Sequence, residues 1–352
     1  MNKKIDMTEA LDMLGFSYPH GKSNFNIICP FCGDSHKNKR KTMNINMNKG
    51  VGGVYSCLRC NKQGHVITFW REVRGLSSNK EAAAEIRKGL SEYKPVKKVA
   101  RKIIKENPIA PIETRHKTYS ALIDNLVLTD YHRKSLRDRG LSNAYIDKKK
   151  YKSYPQTSHE EIATVLLDQG YILDGVPGFY KEKGVWKLRR YSSGILIPQK
   201  DGFGRIQGFQ IRMDNSKGGK YLNLSSLDLP NGTGAKTFAH LSYSRDKDLK
   251  ELILTEGALK ADVISYLSQK SVLAVPGVNS IKYLPGALHD LKKKGLKKVC
   301  IAFDMDLYDN PNVYRALCKL KNLIREADIP FCTYNWNSDY KGLDDYLKNA
   351  HT

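Results

Sequence analysis

Two Cys-x-x-Cys pairs, Cys29-Pro-Phe-Cys32 and Cys57-Leu-Arg-Cys60, stand 24 residues apart near the start of the 352-residue chain. Two residues between thiols let one tight turn aim both sulfurs at one ion, and two such turns supply the four soft ligands of a tetrahedral structural zinc site. The stretches TMNINMN (42–48) and VYSC (54–57) alternate like strands around Gly50, Gly52 and Gly53, so the quartet clamps a small sheet. Four thiolates leave zinc no open position, which makes the metal a builder of fold rather than of chemistry. His36 and His65 are near enough in sequence to replace a thiol, although a solvated histidine is the simpler reading. Neither pair opens a helix after a strand, which argues against a redox role. Cys300, Cys318 and Cys332 read as small core residues, and an odd count of seven with no export signal argues against disulfides.

Charge points to the partner. Lys plus Arg is 59 against 36 Asp plus Glu, a formal net charge of +23, and a chain this basic meets a polyanion, nucleic acid first. The excess lies early: 23 basic against 10 acidic residues over 1–118, 22 against 14 over 119–250, and 14 against 12 over 251–352. Arg40, Lys41, Lys49, Arg59 and Lys62 are interleaved with Tyr55 around the cysteines, a mixture suited to phosphates and to stacking of unpaired bases. The stretch Lys94 to Lys117 holds three prolines, many cations and little apolar periodicity, and reads as a tether. No apolar run is long enough to span a bilayer and no signal peptide is evident, so the expected location is the cytoplasm, without membrane partners. Asn231-Gly-Thr-Gly-Ala-Lys236-Thr237 lacks the glycines of a phosphate loop and reads as a polar turn.

From 251 onward short apolar runs alternate with helical stretches: ELILT, ALKADVISYLSQ, SVLAV, a helix near 281–294, KKVCIAF, a helix near 311–327, and FCTYN. That is a parallel α/β pattern, whose ligand sites lie beyond the carboxyl ends of the strands. Acids stand there: Glu256 after ELILT, Asp304-Met-Asp306 after KVCIAF, and Asp339, Asp344 and Asp345 around the DYKGLDDYL segment. Alternation points Asp304 and Asp306 to one side, and adjacent strand ends bring Glu256 near them. Convergent carboxylates need a cation, and hard oxygens with open positions suit Mg²⁺ or Mn²⁺ holding substrate phosphates. Upstream, Asp201-Gly202 and Gly204 between two alternating runs make a hairpin, with Arg212 at the far end of its second strand.

Glu-Gly after one strand, Asp-x-Asp after a later one and a final acidic segment resemble the Toprim domain of primases, topoisomerases and related nucleases. CPFCGDS and YSCLRCNKQGHVITFW resemble the zinc-binding domain of bacterial and phage DnaG-type primases. HRKSLRDRGLSNAYIDKKKYKSYP and GILIPQKDGFGRIQGFQIRMDNSKGGKYLNLS resemble the primase helical segment and strand-hairpin region. The resemblance implies a multidomain α+β and α/β chain. A zinc ribbon with flanking helices would cover 1–93, a basic linker 94–118, a mixed α/β RNA-polymerase-type domain with a hairpin sheet 119–250, and a Toprim parallel-sheet domain 251–352. It implies one structural Zn²⁺ on Cys29, Cys32, Cys57 and Cys60, and one or two catalytic Mg²⁺ or Mn²⁺ on Glu256, Asp304, Asp306 and Asp344.

The same resemblance puts Arg212, Lys220 and Tyr221, with Arg205 and Arg190 as weaker members, on a basic ridge that binds template or nucleotide phosphates. The implied activity is synthesis of short RNA primers from ribonucleoside triphosphates on single-stranded DNA. The chain stops at Thr352, soon after the last acidic segment, so the implied plan is that of a phage or mobile-element primase without a helicase-binding domain, served by a separate replicative helicase. Three departures stand out. The family's zinc site usually has a histidine where Cys32 stands, though some phage members use four cysteines, so zinc remains expected. The family follows Glu-Gly with a Tyr-Met-Asp type sequence, where Ala258-Leu-Lys-Ala-Asp262 stands here and leaves the role of Asp262 open. Gly342 stands where many members carry an acid. The last two departures motivate a rival reading as a catalytically silent DNA-binding replication or regulatory protein; a Toprim nuclease is the other rival.

Overall fold

The computed structural model describes residues 5–32, 41–92, 107–215, 220–277, 280–304 and 311–350. The chain forms two compact units, Met1–Ile103 and Ile104–Thr352. In the first, strands β1 (Asn24–Ile27), β2 (Met43–Asn46), β3 (Val54–Cys57) and β4 (Gln63–His65) make an antiparallel sheet in that order. The helix Met7–Met13 opens with Asp6, whose side chain accepts the N–H groups of Thr8 and Glu9. The helix Val66–Arg74 ends at Gly75 in the left-handed region. Their apolar faces, Phe69 among them, share one core with Phe25, Ile45 and Tyr55 of the sheet.

The second unit opens earlier than the tether reading expects. Ala110 N–H donates to Gly175 at 2.8 Å, the Asn107 amide reaches Asp174 at 2.9 Å, and a helix runs Ile112–Asp124. Pro111 is the cap of that helix, so this proline marks a helix start rather than a tether. Helices Asp130–Arg137 and Asn143–Lys149, capped by the Thr129 and Ser142 hydroxyls, lead to β5 (Lys152–Ser153). The helix His159–Asp168 packs on the hairpin of β6 (Phe179–Glu182) and β7 (Val185–Leu188).

The expected hairpin is β8 (Gly194–Lys200) and β9 (Ile206–Met213), flanked by β5 and by β10 (Tyr221–Asn223) in the order β10-β9-β8-β5. Last comes a five-stranded sheet, β11-β13-β12-β14-β15, from β11 (His240–Ser242), β12 (Glu251–Glu256), β13 (Val272–Val275), β14 (Lys298–Ile301) and β15 (Phe331–Thr333). Neighbours from β13 to β15 run parallel and β11 runs antiparallel to β13. Helices Ala258–Ser268, Leu284–Lys293 and Pro311–Glu326 connect the parallel strands.

The expected boundary at 250/251 is therefore not a seam. β11 belongs to the later sheet, and Leu136, Ile146, Ile195 and Ile197 share one core with Ala258, Leu259 and Val263. Asp262 sits inside this joint, 1% exposed, held by Lys149, by the Tyr151 hydroxyl at 2.5 Å and by His240 Nε2 at 3.2 Å. Lys200 N–H donates to His240 Nδ1 at 2.8 Å, so Nε2 carries the proton it gives to Asp262. Burial opposes the charge on Asp262, but Lys149 and His240 outweigh it and hold the carboxyl well below its ordinary value.

Asp262→Ala takes the carboxylate from the half-buried Lys149 and leaves the buried Tyr151 hydroxyl and His240 Nε2 without it, and should cost the second unit about 3–5 kcal/mol in denaturant unfolding. The carboxylate's contribution is full above its unfolded pKa of about 3.9 and is lost as pH falls toward the depressed folded value. An unfolding midpoint unchanged by the substitution would contradict this role.

Candidate active site and metal centre

β12 delivers Glu256 to its carboxyl end. There Gly257 turns the chain at φ +83°, a left-handed conformation that favours glycine, and donates its N–H to Val275 at 2.8 Å before the helix Ala258–Ser268 begins. β14 is the parallel neighbour of β12, with Leu254 opposite Ile301, so Asp304 emerges three residues past the strand at the same end. Asp344, in the first turn of the helix Leu343–Ala350, is 7% exposed. Asp306, predicted beside Asp304, lies outside the described residues.

Glu256, Asp304 and Asp344 line one cleft of about 420 Å³ together with Asp345, Arg139, Lys220, Lys260, Lys341, Tyr221 and Gln210. Of the predicted residues, Glu256, Asp304 and Asp344 thus share this cleft with Lys220 and Tyr221 of the basic ridge. Lys260 forms a short contact with Asp304 Oδ1 and lies 4.0 Å from Asp344 Oδ1. Burial works against its charge, but Asp344 and Asp304 more than compensate and hold the ammonium above the ordinary lysine value. Burial pushes the Asp344 carboxyl up despite Lys260, and its Oδ1 accepts no hydrogen bond among the described residues. The bare Cα of Gly342 is the meeting point: a Cβ there would stand 2.4 Å from Asp344 Oδ1 and 3.2 Å from Asp304 Oδ1. The orphaned buried oxygen of Asp344 and the carboxylates around it are hard donors that suit Mg²⁺ or Mn²⁺, although the oxygens of Glu256, Asp304 and Asp344 do not all lie within 4.8 Å of one another.

Arg212 and Tyr221 are register partners on β9 and β10, and Gln210 and Asn223 follow two residues along on the same face. Arg212 lines an adjoining hollow of about 280 Å³ that shares Arg139, Asp344 and Asp345 with the cleft. Its Nη1 donates to Ser135 at 3.4 Å, while its buried Nε and the Gln210 Oε1 find no partner among the described residues. Burial and the neighbouring Arg139, Arg212 and Lys260 push the Lys220 ammonium below its ordinary value, which marks a dense positive wall.

Arg205 is elsewhere. It precedes β9, roughly 24 Å along an extended strand from Arg212, and is held by Asp201 at 2.8 Å and Glu113 at 2.5 Å beside Phe203. Sequence reading passed over Lys260, Arg139, Lys341 and Gln210. For Gln210 a signal existed, since it alternates with Arg212 along β9.

In the first unit the sulfurs of Cys29, Cys57 and Cys60 lie within 4.8 Å of one another, Cys29 to Cys60 at 3.7 Å. Zn–S bonds of about 2.3 Å on a tetrahedron put sulfurs about 3.8 Å apart, so the three fit zinc. Cys57 ends β3, and Asn61 N–H closes the knuckle on the Cys57 carbonyl at 2.9 Å. Burial opposes ionisation of Cys57, but bonds from the Thr42 hydroxyl and the backbone of Cys60 and Arg59 prevail and bring the thiol down to about 7. Cys32, the fourth predicted ligand, is buried but stands outside this group of three. His65 bonds Thr68 at 3.2 Å instead, and His36 and Arg40 lie outside the described residues. Tyr55 is 1% exposed between Phe31 and Phe69, so it is core and offers no face for a base. Lys62 is likewise engaged, paired with Glu72 at 2.8 Å and set over the Phe31 ring.

Residues 245–352 match a family profile described as a domain of unknown function, DUF3854. The chain is 26% identical over 318 residues to the DNA primase of Deinococcus radiodurans, covering 82% of this chain and 48% of that protein. It is 24% identical over 292 residues to the DNA primase of Staphylococcus aureus, covering 79% and 47%. These relatives are DNA primases. The chain spans about half the length of the curated primases it matches. Among solved structures it is similar to the zinc-binding and RNA polymerase domains of the Aquifex aeolicus primase, with TM-score 0.52 and 20% identity over 97% of this chain and 80% of that one. It therefore has the fold of those primase domains. Among the described residues no helix is long and apolar enough to cross a membrane.

Proposed function

We propose that this chain is a DNA primase that makes short RNA primers on single-stranded DNA through a Toprim-type site in its parallel sheet. The observation that carries this reading is the convergence of Glu256, Asp304 and Asp344 with Arg139, Lys220 and Tyr221 on one cleft, at the carboxyl ends of adjacent parallel strands. Glu256, Asp304 and Asp344, with Asp306 expected beside them, hold Mg²⁺ or Mn²⁺. When bound, the metal supplies a lowered pKa for an attacking hydroxyl and stabilises charge on the departing pyrophosphate. Lys220 and Lys341 line the same cleft as point-charge donors for triphosphate oxygens, and Arg212 in the adjoining hollow adds a fork suited to a template phosphate. Tyr221 offers a ring against which a base or ribose can rest.

Zinc on Cys29, Cys57 and Cys60, with Cys32 as the proposed fourth ligand, builds the first unit, which joins the basic second unit in holding template. Single-stranded DNA and ribonucleoside triphosphates are the proposed partners, with a separate replicative helicase.

The test is incorporation of labelled ribonucleotides on single-stranded DNA of varied sequence with Mg²⁺ or Mn²⁺. Short labelled products are expected. DNA that is bound or cut with no product at any metal or template would reject synthesis in favour of a silent binder or a nuclease.

A further inference from the structure

Lys260 is a cation already standing inside the carboxylate cluster. The turn at Gly257 starts the helix so early that Lys260, its third residue, reaches back over the strand ends with its side chain only 18% exposed. Its Nζ meets Asp304 Oδ1, lies 4.0 Å from Asp344 Oδ1, and would be 3.4 Å from a Cβ on Gly342. Only glycine at 342 leaves this volume open, because a Cβ would also press on both carboxylates. Asp344 Oδ1, on a residue 7% exposed, still accepts no hydrogen bond among the described residues, so the ammonium leaves room for one more cation.

Lys260 already stands against Asp304 and Asp344, and Arg139, Lys220 and Lys341 line the same cleft, so a second divalent ion would enter a cluster that cations already crowd. Unlike a metal, the ammonium is tethered, cannot be chelated away and presents three donors but no exchangeable coordination position.

We propose that Lys260 is the resident cation of this cluster, taking one of its two cation positions, so that the site binds a single divalent ion. Lys260 then acts as a positioning residue, fixing Asp304 and Asp344 around the remaining position. The inference rests on reading the acids as a metal site, but not on synthesis itself.

The experiment counts Mn²⁺ on the zinc-loaded full chain by equilibrium dialysis, with free Mn²⁺ read by electron paramagnetic resonance and cluster ions defined as those lost in Asp304→Asn. One cluster ion is expected in wild type and in Lys260→Arg, and two in Lys260→Met. Two cluster ions in wild type would overturn the proposal without recourse to any variant, and would leave primer synthesis as a reading intact. A count of one that stays at one in folded Lys260→Met also overturns it. One ion in wild type rising to two in Lys260→Met, with no primer made on any template, would uphold Lys260 and instead fail the reading as a primase.

Discussion

Glu256→Gln should abolish primer synthesis, lowering it at least about 10³-fold, while changing affinity for single-stranded DNA less than about twofold. The two carbonyl-type side chains have nearly the same shape, and Glu256 sits half-buried at the end of β12, so the sheet has no packing reason to change. What disappears is one unit of negative charge at the mouth of a cleft already crowded with Arg139, Lys220, Lys260 and Lys341. With one carboxylate fewer beside Asp304, Asp344 and Asp345 to oppose those cations, a divalent ion loses a ligand and much of its electrostatic attraction together. DNA affinity comes mainly from phosphate contacts by basic side chains, which the substitution leaves in place. The comparison needs labelled ribonucleotide incorporation and DNA binding at one fixed salt concentration, because phosphate-dominated affinity varies steeply with salt. A variant that keeps a tenth or more of wild-type synthesis would remove Glu256 from the chemistry. One that loses DNA binding in parallel would recast it as structural.

Glu256 and Asp304 could be found without a structure because strand ends leave a readable mark: an apolar run that stops at an acid. Asp344 was readable only through the resemblance of the last acidic segment, in which Asp345 stands beside it. Lys260 was not, because a lysine in the first turn of a helix looks like any solvated lysine until the folded strand ends surround it with carboxylates. The helix–strand order from 251 onward follows the apolar periodicity closely, whereas β11 escapes it. His240–Ser242 is three residues long and fully buried, too short to show a period, and only its pairing with β13 makes it a strand.

Prolines misled in the opposite direction. Near 107–118 they suggested a tether, yet one of them initiates a helix whose preceding residues are hydrogen-bonded into the second unit. For Tyr55 the information was present: alternation along β3 puts it on the same face as Cys57, and both are buried. Composition argued for a base-stacking aromatic, but strand geometry decides which face the ring occupies. Arg205 shows the same limit, since a hairpin separates its two ends and only one end faces the acids.

Cys57→Ser should cost the chain its bound zinc and unfold the first unit while leaving the second unit's transition unchanged. A structural zinc site is worth roughly 10–16 kcal/mol to a small domain, and a whole domain is stable by only about 5–15 kcal/mol. The first unit has a modest core, in which Cys29, Cys32 and Cys57 themselves are buried members, so no large apolar reserve replaces the metal. Serine preserves the volume of Cys57 and can still bond Thr42, but its hydroxyl does not ionise near neutral pH as the Cys57 thiol does at about 7. The Cys29 and Cys60 sulfurs, 3.7 Å apart, are then left without a shared cation. Calorimetry should show one of two transitions disappear, metal analysis should show about one zinc per chain fall toward zero, and a strong chelator should reproduce both effects in the wild type. Zinc retained at full occupancy by Cys57→Ser, with both transitions in place, would mean that the three sulfurs pack as ordinary core thiols. The two outcomes are read separately because, among the described residues, each unit has hydrophobic cores of its own.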